Sequence, residues 1–165
     1  MLLYLIPFAI ILAADQITKF LVDKKMAVGD SFTLIPKFMD ITYVQNKGAA
    51  FGIFQGRKVL LVIVSLLIFA AIIWYVVHYK PSSKWTMWSL TLITAGGLGN
   101  LIDRVLLSYV RDFLDETFTK YDFPVFNIAD CAITIGAIML ALYVLIGGIR
   151  DEANVSFDSD TDCPQ

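Results

Sequence analysis

Four runs of this sequence are each apolar over about the 20 residues that an α-helix needs to cross the hydrocarbon core of a membrane. Of the 165 residues, 58% are hydrophobic and 17% are charged, a balance too apolar for a soluble domain of this size. Backbone polar groups in lipid must be paired internally, so spans of this kind are helical. The sequence therefore predicts an all-α polytopic membrane protein with four transmembrane helices. They cover residues 2–22, 59–79, 85–102 and 131–149.

The first run also has one feature of a secretory signal peptide, because its apolar stretch at 2–14 ends in small residues. No Lys or Arg precedes it, and the apolar pattern continues to Val22, so we predict a retained helix. An even number of spans places both termini on one face of the membrane. The loops at 23–58 and 103–130 therefore share the opposite face.

The distribution of Lys and Arg does not fix which face is cytoplasmic. The positive-inside rule would place Lys80, Lys84 and Arg150, on the face of the termini, in the cytoplasm. The loop at 23–58 carries more positive charge, so raw counting favours the opposite topology. Because some of these residues can serve a site, charge alone leaves the orientation open. The basic residues of that loop are Lys24, Lys25, Lys37, Lys47, Arg57 and Lys58.

The loop at 23–58 alternates in the manner of short β-strands. Its segments 31–35 and 38–44 predict a hairpin or small sheet resting on the membrane surface. Gly48 follows in a run of small residues that permits close approach of the backbone, by a ligand or by a neighbouring helix. Packing explains most such runs, whereas the polar Asn46 beside it indicates a site.

Two charged side chains interrupt the first apolar run. Asp15 and Lys19 are four residues apart, the spacing at which an acid and a following base meet on one helix face. Two interpretations remain open: a self-neutralising structural pair with Lys19 extending to the interface, or a pair that lines a site. At the end of the third run, Asn100, Asp103 and Arg104 are expected to pair with one another and with nearby backbone, and so to brace what lies beside them; a direct chemical role of Asp103 and Arg104 stays open as the alternative.

The largest cluster of acids lies between the third and fourth runs, at residues 100–130. Asp112 and Asp130 differ from the other acids there because each abuts an apolar segment. Asp130 alone would be explained as a cap at the N-terminus of the fourth helix. The segment after Asp112 predicts a short amphipathic helix between the third and fourth spans. The remaining loop acids are expected to be solvated surface charges: Asp115, Glu116 and Asp122.

Two carboxylates held close together in a low-dielectric site cannot both ionise, so one keeps a proton while the other acts as a base. Such a pair can activate water against a peptide carbonyl and protonate the leaving amine. His78, the only histidine, is predicted on the opposite face, which excludes Ser-His-Asp, Cys-His and His-based zinc sites. We therefore interpret Asp112 and Asp130 as the pair of an intramembrane aspartic peptidase. The alternative is a small transporter or cation channel with Asp15, Asp112 and Asp130 along a cation path.

Five sequence blocks resemble those of the bacterial lipoprotein signal peptidases, the signal peptidase II family of aspartic peptidases. They occur in the expected order through the fourth run, which makes the resemblance specific. The blocks are D-Q-I-T-K at 15–19, N-K-G-A-A-F-G at 46–52, G-N-L-I-D-R at 99–104, V-R-D-F at 110–113 and F-N-I-A-D at 126–130.

The resemblance implies a four-helix membrane fold with a small extracytoplasmic β-sheet. It implies a peptidase of the bacterial cytoplasmic membrane that removes signal peptides from diacylglyceryl-modified prolipoproteins, cutting just before the lipid-modified cysteine. Asp112 and Asp130 would be catalytic near the outer face, and both termini would be cytoplasmic, which overrules the charge count. The residues it implies as substrate-binding or supporting are Asp15, Lys19, Asn46, Gly48, Asn100, Asp103, Arg104, Asn127 and Ala129.

The remaining expectations concern partners and domain organisation. We expect no metal, no cofactor and no nucleic acid, with lipidated precursors and membrane lipid as partners of a monomer. Residues 1–150 are predicted to form one membrane peptidase domain. Residues 151–165 hold five acids and no Lys or Arg, which predicts a disordered tail. Whether the Arg111 side chain points toward its neighbour Asp112 stays open.

Overall fold

The chain forms four helices and three strands within residues 2–49, 53–119 and 123–147, the part that the computed structural model describes. The helices are α1 (Leu2–Lys25), α2 (Lys58–Tyr79), α3 (Lys84–Leu107) and α4 (Ile128–Leu145). The strands are β1 (Ser31–Ile35), β2 (Met39–Asn46) and β3 (Val110–Glu116), so that β1 and β2 follow α1 and β3 follows α3.

All four helices are long and apolar enough to cross a membrane, which confirms the four predicted spans. Helix α3 ends at Leu107 rather than at residue 102. Asp103 and Arg104 form hydrogen bonds within the protein, which lowers the free-energy cost of placing two charged side chains near the membrane. Ser108 stops the helix in the left-handed conformation, at φ 72°, and its N–H donates to the Arg104 carbonyl. The last two residues of the predicted fourth span lie outside the described residues.

Helix α3 lies at the centre of the bundle and contacts each of the other three helices. It contributes ten buried residues, whereas α2 contributes none, and most of the apolar side chains of α2 are exposed. An apolar helix surface that no protein covers is suited to contact with lipid. The polar interior of the fold is therefore built from α1, α3 and α4.

Glycines let these three helices approach closely. A side chain at Gly96 would collide with the backbone of Ala129 in α4, and one at Gly99 would collide with the Asp15 carboxylate of α1. Small residues at such contacts allow transmembrane helices to pack where no hydrophobic force draws them together. The two glycines therefore bring Asp15 and the start of α4 to the same level of α3.

The three strands form one antiparallel sheet in the order β1-β2-β3. β1 and β2 confirm the hairpin that the alternation predicted, and β2 continues to Asn46 rather than ending at residue 44. In the pairing of β2 with β3, Val44 lies opposite Asp112. The sheet therefore carries Asn46 and Asp112 toward the helix ends on adjacent strands.

The predicted short amphipathic helix between the third and fourth spans is wrong, because β3 occupies the segment that follows α3. Val110 and Phe113 of this strand are buried, and its backbone pairs with β2 on one side and with Phe126 on the other. A short isolated helix has only marginal stability in water, whereas the edge of β2 offers hydrogen-bond partners for the backbone of this segment. Tertiary pairing therefore decides the conformation.

One side-chain bond ties the sheet to the bundle. Tyr43 of β2 is 2% exposed, and its hydroxyl donates to the Asp23 carboxylate at 2.5 Å, near the end of α1. Burial, followed by this hydrogen bond, raises the pKa of the Tyr43 phenol, so it stays protonated at neutral pH. The contact holds the strand that carries Asn46 against the helices.

Candidate active site

Asp112 and Asp130 lie on the wall of one cavity, of about 570 Å³, at the end of the bundle where the sheet sits. Asp112 comes from β3 and is 1% exposed, while Asp130 lies in the first turn of α4 and is half-buried. Asn46, Asn100 and Arg104 line the same cavity. The fold therefore brings the two acids singled out by the sequence to one place.

Two asparagines join the carboxylates. The amide nitrogen of Asn127 donates to Asp112 Oδ1 at 2.6 Å and to the Asn100 side-chain oxygen at 3.2 Å. The amide nitrogen of Asn100 then donates to Asp130 Oδ1 at 2.7 Å. Because both amides are held at two or more points, the relative position of the two carboxylates is fixed by hydrogen bonds as well as by packing.

The start of α4 explains why Asp130 stands where it does. Asn127 caps the helix, accepting from the Asp130 N–H at 2.9 Å, and its own N–H donates to Asp130 Oδ2 at 3.2 Å. This reciprocal arrangement satisfies N–H groups that the helix start would otherwise leave unpaired. The capping role considered for Asp130 is therefore present. It uses Oδ2, while Oδ1 of the same carboxylate accepts from Asn100, and Asp130 still lines the cavity.

Asn46 holds the other oxygen of Asp112. Its amide nitrogen donates to Asp112 Oδ2 at 2.9 Å, and its side-chain oxygen accepts from the Gly48 N–H at 2.9 Å. A side chain at Gly48 would lie 2.8 Å from the Ile53 carbonyl oxygen, so the loop closes tightly at this point. Glycine at 48 thus allows the turn that orients Asn46.

The surroundings of Asp112 favour its protonated form. Burial raises the pKa of the Asp112 carboxyl to about 7, and the nearby charge of Asp130 acts in the same direction. Hydrogen bonds from Asn46 and Asn127 oppose that rise because they favour the ionised form. At neutral pH the pair can therefore hold a proton that one of the carboxyls gives and takes.

Lys19 is buried rather than extended to the interface, so the interfacial part of the first interpretation is wrong. Its ammonium lies 2.9 Å from Asp15 Oδ2 and donates to the Asn100 side-chain oxygen at 2.9 Å, with Lys19 and Asp15 both at 0% exposure. Asp15 Oδ1 accepts from the Ala129 N–H at 3.0 Å. The pair is thus structural and also contacts Asn100, which directs its amide nitrogen at Asp130.

Asp103 and Arg104 do not pair with each other as expected from the sequence. Arg104 donates to the Gly48 carbonyl at 3.2 Å and to the Asn100 carbonyl at 3.4 Å, and it lines the cavity that holds both aspartates. Among the described residues its buried Nε has no hydrogen-bond partner. Consecutive helix residues point in different directions, so Arg104 faces the cavity while Asp103 faces the interior.

The partner of Asp103 is Arg111, which points away from Asp112. Strand residues alternate between faces, so neighbours on β3 diverge. Arg111 donates through Nη2 to Asp103 Oδ1 at 2.7 Å and through Nε to Asp103 Oδ2 at 3.1 Å, and its backbone N–H donates to Oδ2 at 3.0 Å. Nη2 also donates to Gln16 Oε1 at 3.2 Å. Neither Gln16 nor Arg111 was predicted as a site residue, although their positions next to Asp15 and Asp112 were a usable signal.

We expect Arg111→Met to lower kcat by about 10- to 100-fold. The variant loses the two hydrogen bonds from the Arg111 guanidinium to Asp103, which hold β3, and therefore Asp112, in place relative to α3. Small displacements of reacting groups have effects of this size. Initial rates of peptide hydrolysis by the purified variant, compared with the wild type, measure the effect. The matched control is Arg57→Met, since Arg57 is exposed and makes no side-chain capping bond to α2. An Arg111→Met variant with wild-type kcat would show that Arg111 does not position Asp112.

Asp115 and Glu116 lie on β3 and are half-buried, so they are not the solvated loop charges that the sequence predicted, and neither lines the cavity of Asp112 and Asp130. Asp115 accepts from Thr42 at 2.7 Å on the sheet, and Glu116 accepts from Thr119 nearby. His78 stacks on Trp74 near the end of α2. Asp122 and the acidic tail lie outside the described residues. Within the part of the chain that the structure describes, no group of three or more His, Cys, Asp or Glu side chains is placed to hold a metal ion.

The fold and the site together define a polytopic membrane protein with a hydrogen-bonded pair of carboxyl groups at one end of its helices. Residues 7–146 match the family model described as signal peptidase (SPase) II. The chain therefore belongs to the signal peptidase II family, and it is a peptidase. This membership gives no support to the alternative of a transporter or channel.

Individual relatives agree with the family match. The chain is 43% identical over 145 residues to the lipoprotein signal peptidase of Clostridium novyi (strain NT), covering 87% of this chain and 97% of that protein. It is 39% identical over 140 residues to the lipoprotein signal peptidase of Staphylococcus aureus (strain MRSA252), covering 85% and 83%.

Two solved structures share the fold. Both are described as a bacterial membrane enzyme determined by the in meso method. The first, at 2.3 Å resolution, has a TM-score of 0.84 and 36% identity and covers 88% of each chain. The second, at 1.9 Å, has a TM-score of 0.81 and 36% identity, covering 88% of this chain and 94% of the other. The similarity supports the four-helix arrangement with its sheet.

Proposed function

We propose that this chain is an intramembrane aspartic endopeptidase that removes the signal peptide from diacylglyceryl-modified prolipoproteins, cutting just before the lipid-modified cysteine. The observation that carries the proposal is the pair Asp112 and Asp130, joined through Asn127 and Asn100 on the wall of a cavity. The names of the relatives, lipoprotein signal peptidases, support the substrate class.

The carboxyl pair supplies the acid and the base of hydrolysis. The ionised carboxylate takes a proton from a water molecule as the water attacks the scissile carbonyl, and the protonated carboxyl donates to the carbonyl oxygen. When the tetrahedral species collapses, the new amine leaves with a proton returned from the pair. Asn46, Asn100 and Asn127 act as positioning residues, because their amides hold the carboxylates in place throughout.

The cavity walls suit an apolar substrate held at membrane depth. Besides the site residues, Phe123, Phe126, Ile133 and Ile135 line it, and the last two continue along α4 into the apolar span. Both the signal peptide and the diacylglyceryl group are apolar, so these walls let them stay in apolar surroundings as they pass from the bilayer to the site. Arg104 adds a positive charge beside the two aspartates, where negative charge develops on the carbonyl oxygen.

The same proposal covers topology and domain organisation. Residues 1–150 act as one membrane peptidase domain and as a monomer, residues 151–165 form a tail, and membrane lipid surrounds the spans. The termini lie in the cytoplasm of a bacterial cell, and the sheet and the carboxyl pair lie near the outer face of its cytoplasmic membrane. The membership of the signal peptidase II family supports this orientation over the count of basic residues.

Cleavage of a matched pair of precursors tests the proposed substrate. We expect the purified chain to cleave the diacylglyceryl-modified precursor at least about 100-fold faster, in kcat/KM, than the same precursor with an unmodified cysteine, because the lipid anchors the scissile bond beside the apolar cavity. Product masses report the bond that is cut. Equal kcat/KM for the two forms would contradict a role of the lipid in recognition.

The pH dependence of kcat/KM tests the shared proton. The pair loses its last proton as the pH rises through the pKa of Asp112, so activity is expected to fall above pH about 7. In Asn46→Ala the carboxylate loses a hydrogen bond that favours its ionised form, so its pKa rises and the high-pH limb moves to higher pH. A limb that stays in place or moves to lower pH in Asn46→Ala would contradict this assignment.

A further inference from the structure

A second cavity of about 290 Å³ opens beside the first and shares Asn46 and Asp112 with it. Its other walls are mixed: Gln45, Lys47 and Gln55 are polar, and they stand beside apolar residues such as Val44 and Val125. The two cavities therefore meet at a carboxyl of the site. They differ in proportion, because phenylalanine and isoleucine side chains line much of the first, whereas the described residues that line the second include no aromatic side chain and a larger share of polar residues.

The proposed substrate likewise has apolar parts and a polar part. The signal peptide and the diacylglyceryl group are apolar and remain with the membrane. The polypeptide that follows the modified cysteine leads away from the membrane toward the water-soluble body of the lipoprotein. The more polar of the two cavities, which reaches the cleavage site, suits this last part of the substrate better than the apolar parts.

Lys47 adds a positive charge to the wall of the second cavity. It follows Asn46 at the end of β2 and is exposed, and of the described residues that line this cavity it alone is cationic. Its backbone carbonyl accepts from the Gly56 N–H at 3.1 Å, which fixes the main chain of this exposed residue at the cavity wall. An ammonium in this place attracts a carboxylate and repels a second ammonium.

We propose that the second cavity binds the first residues of the mature lipoprotein after the lipid-modified cysteine, and that Lys47 makes it prefer an acidic side chain there. This inference rests on the proposed function and adds a specificity-determining residue to it. The ion pair would form at the protein surface, so it should change kcat/KM by only a modest factor, and added salt should reduce that factor.

The test uses three diacylglyceryl-modified precursors that differ only in the residue after the modified cysteine, which is Asp, Asn or Lys. The full-length chain, purified in detergent, is compared with Lys47→Gln, Lys47→Glu and the control Lys37→Glu. Lys37 lies in the β1–β2 turn and does not line either cavity among the described residues, so this control reverses the same charge elsewhere on the loop.

We expect the wild type to cleave the Asp precursor about two- to fivefold faster than the Lys precursor in kcat/KM, a difference typical of one exposed ion pair. Lys47→Gln should remove the preference, Lys47→Glu should reverse it, and Lys37→Glu should keep it. If the wild type cleaves all three precursors equally, or if Lys37→Glu shifts the preference as much as Lys47→Glu, the inference is overturned. Failure of the wild type to cleave any lipidated precursor would instead refute the proposed function.

Discussion

Asp112→Asn and Asp130→Asn are each expected to lower turnover of a lipidated precursor by at least about 10³-fold while the chain stays folded. An amide has nearly the shape of a carboxyl group but neither accepts nor returns a proton at neutral pH, so one partner of the acid–base pair is lost. Each replaced side chain retains one oxygen as an acceptor, toward Asn127 in the first variant and toward Asn100 in the second.

The double variant Asp112→Asn with Asp130→Asn sharpens this result. If the two carboxyls act as one unit, the double variant should be no slower than either single variant, because removing one member already stops the unit. Initial rates of the three variants measure this, and thermal unfolding in detergent verifies that each is folded. Independent, multiplicative losses would show that the two residues do not share one chemical step.

The second large effect is expected on stability, from Lys19→Met. The ammonium lies 2.9 Å from Asp15 and 3.8 Å from Asp103, and all three side chains are fully buried. Removing one partner of a buried ion pair leaves an uncompensated charge, which costs about 3 to 5 kcal/mol of unfolding free energy. Activity should fall as well, because Asn100 loses the donor that orients its amide toward Asp130.

Unfolding in detergent measures the effect of Lys19→Met against the control Lys25→Met, which removes an exposed lysine at the end of the same helix. In Asp15→Asn with Lys19→Met the uncompensated acid at 15 is neutralised, so part of the stability should return. A Lys19→Met variant as stable as the wild type would contradict the buried network described for α1.

The helices and the hairpin could be predicted from the sequence because their signals are local. A span is set by the length of an apolar run, and β1 and β2 by alternation over a few residues. The juxtaposition of Asp112 with Asp130 was also predictable, since each acid abuts an apolar segment and the resemblance assigns both to one site. The capping box at Asn127 and Asp130 depends on a three-residue spacing and is local in the same sense.

The remaining features depend on contacts between distant segments. β3 replaces the predicted helix because β2 offers an edge for pairing, and the hydrogen bonds that decide this come from residues about 70 positions earlier, such as Val44 opposite Asp112. Arg111 turns to Asp103 and Gln16 because strand alternation directs it inward, and its partners lie on two helices. The spacing of residues along the sequence does not indicate which distant segments come into contact, so neither interaction could be predicted from it.

The central claim is that the carboxyl pair performs the cleavage. The most direct test is to incubate one diacylglyceryl-modified precursor with the wild type, Asp112→Asn and Asp115→Asn, and to read the products by mass spectrometry. Asp115 lies on the same strand but bonds to Thr42 outside the site, so it is a matched control. We predict that the wild type and Asp115→Asn release the signal peptide together with a product that begins at the lipidated cysteine, and that Asp112→Asn releases neither. The same products from Asp112→Asn at the wild-type rate would contradict the claim.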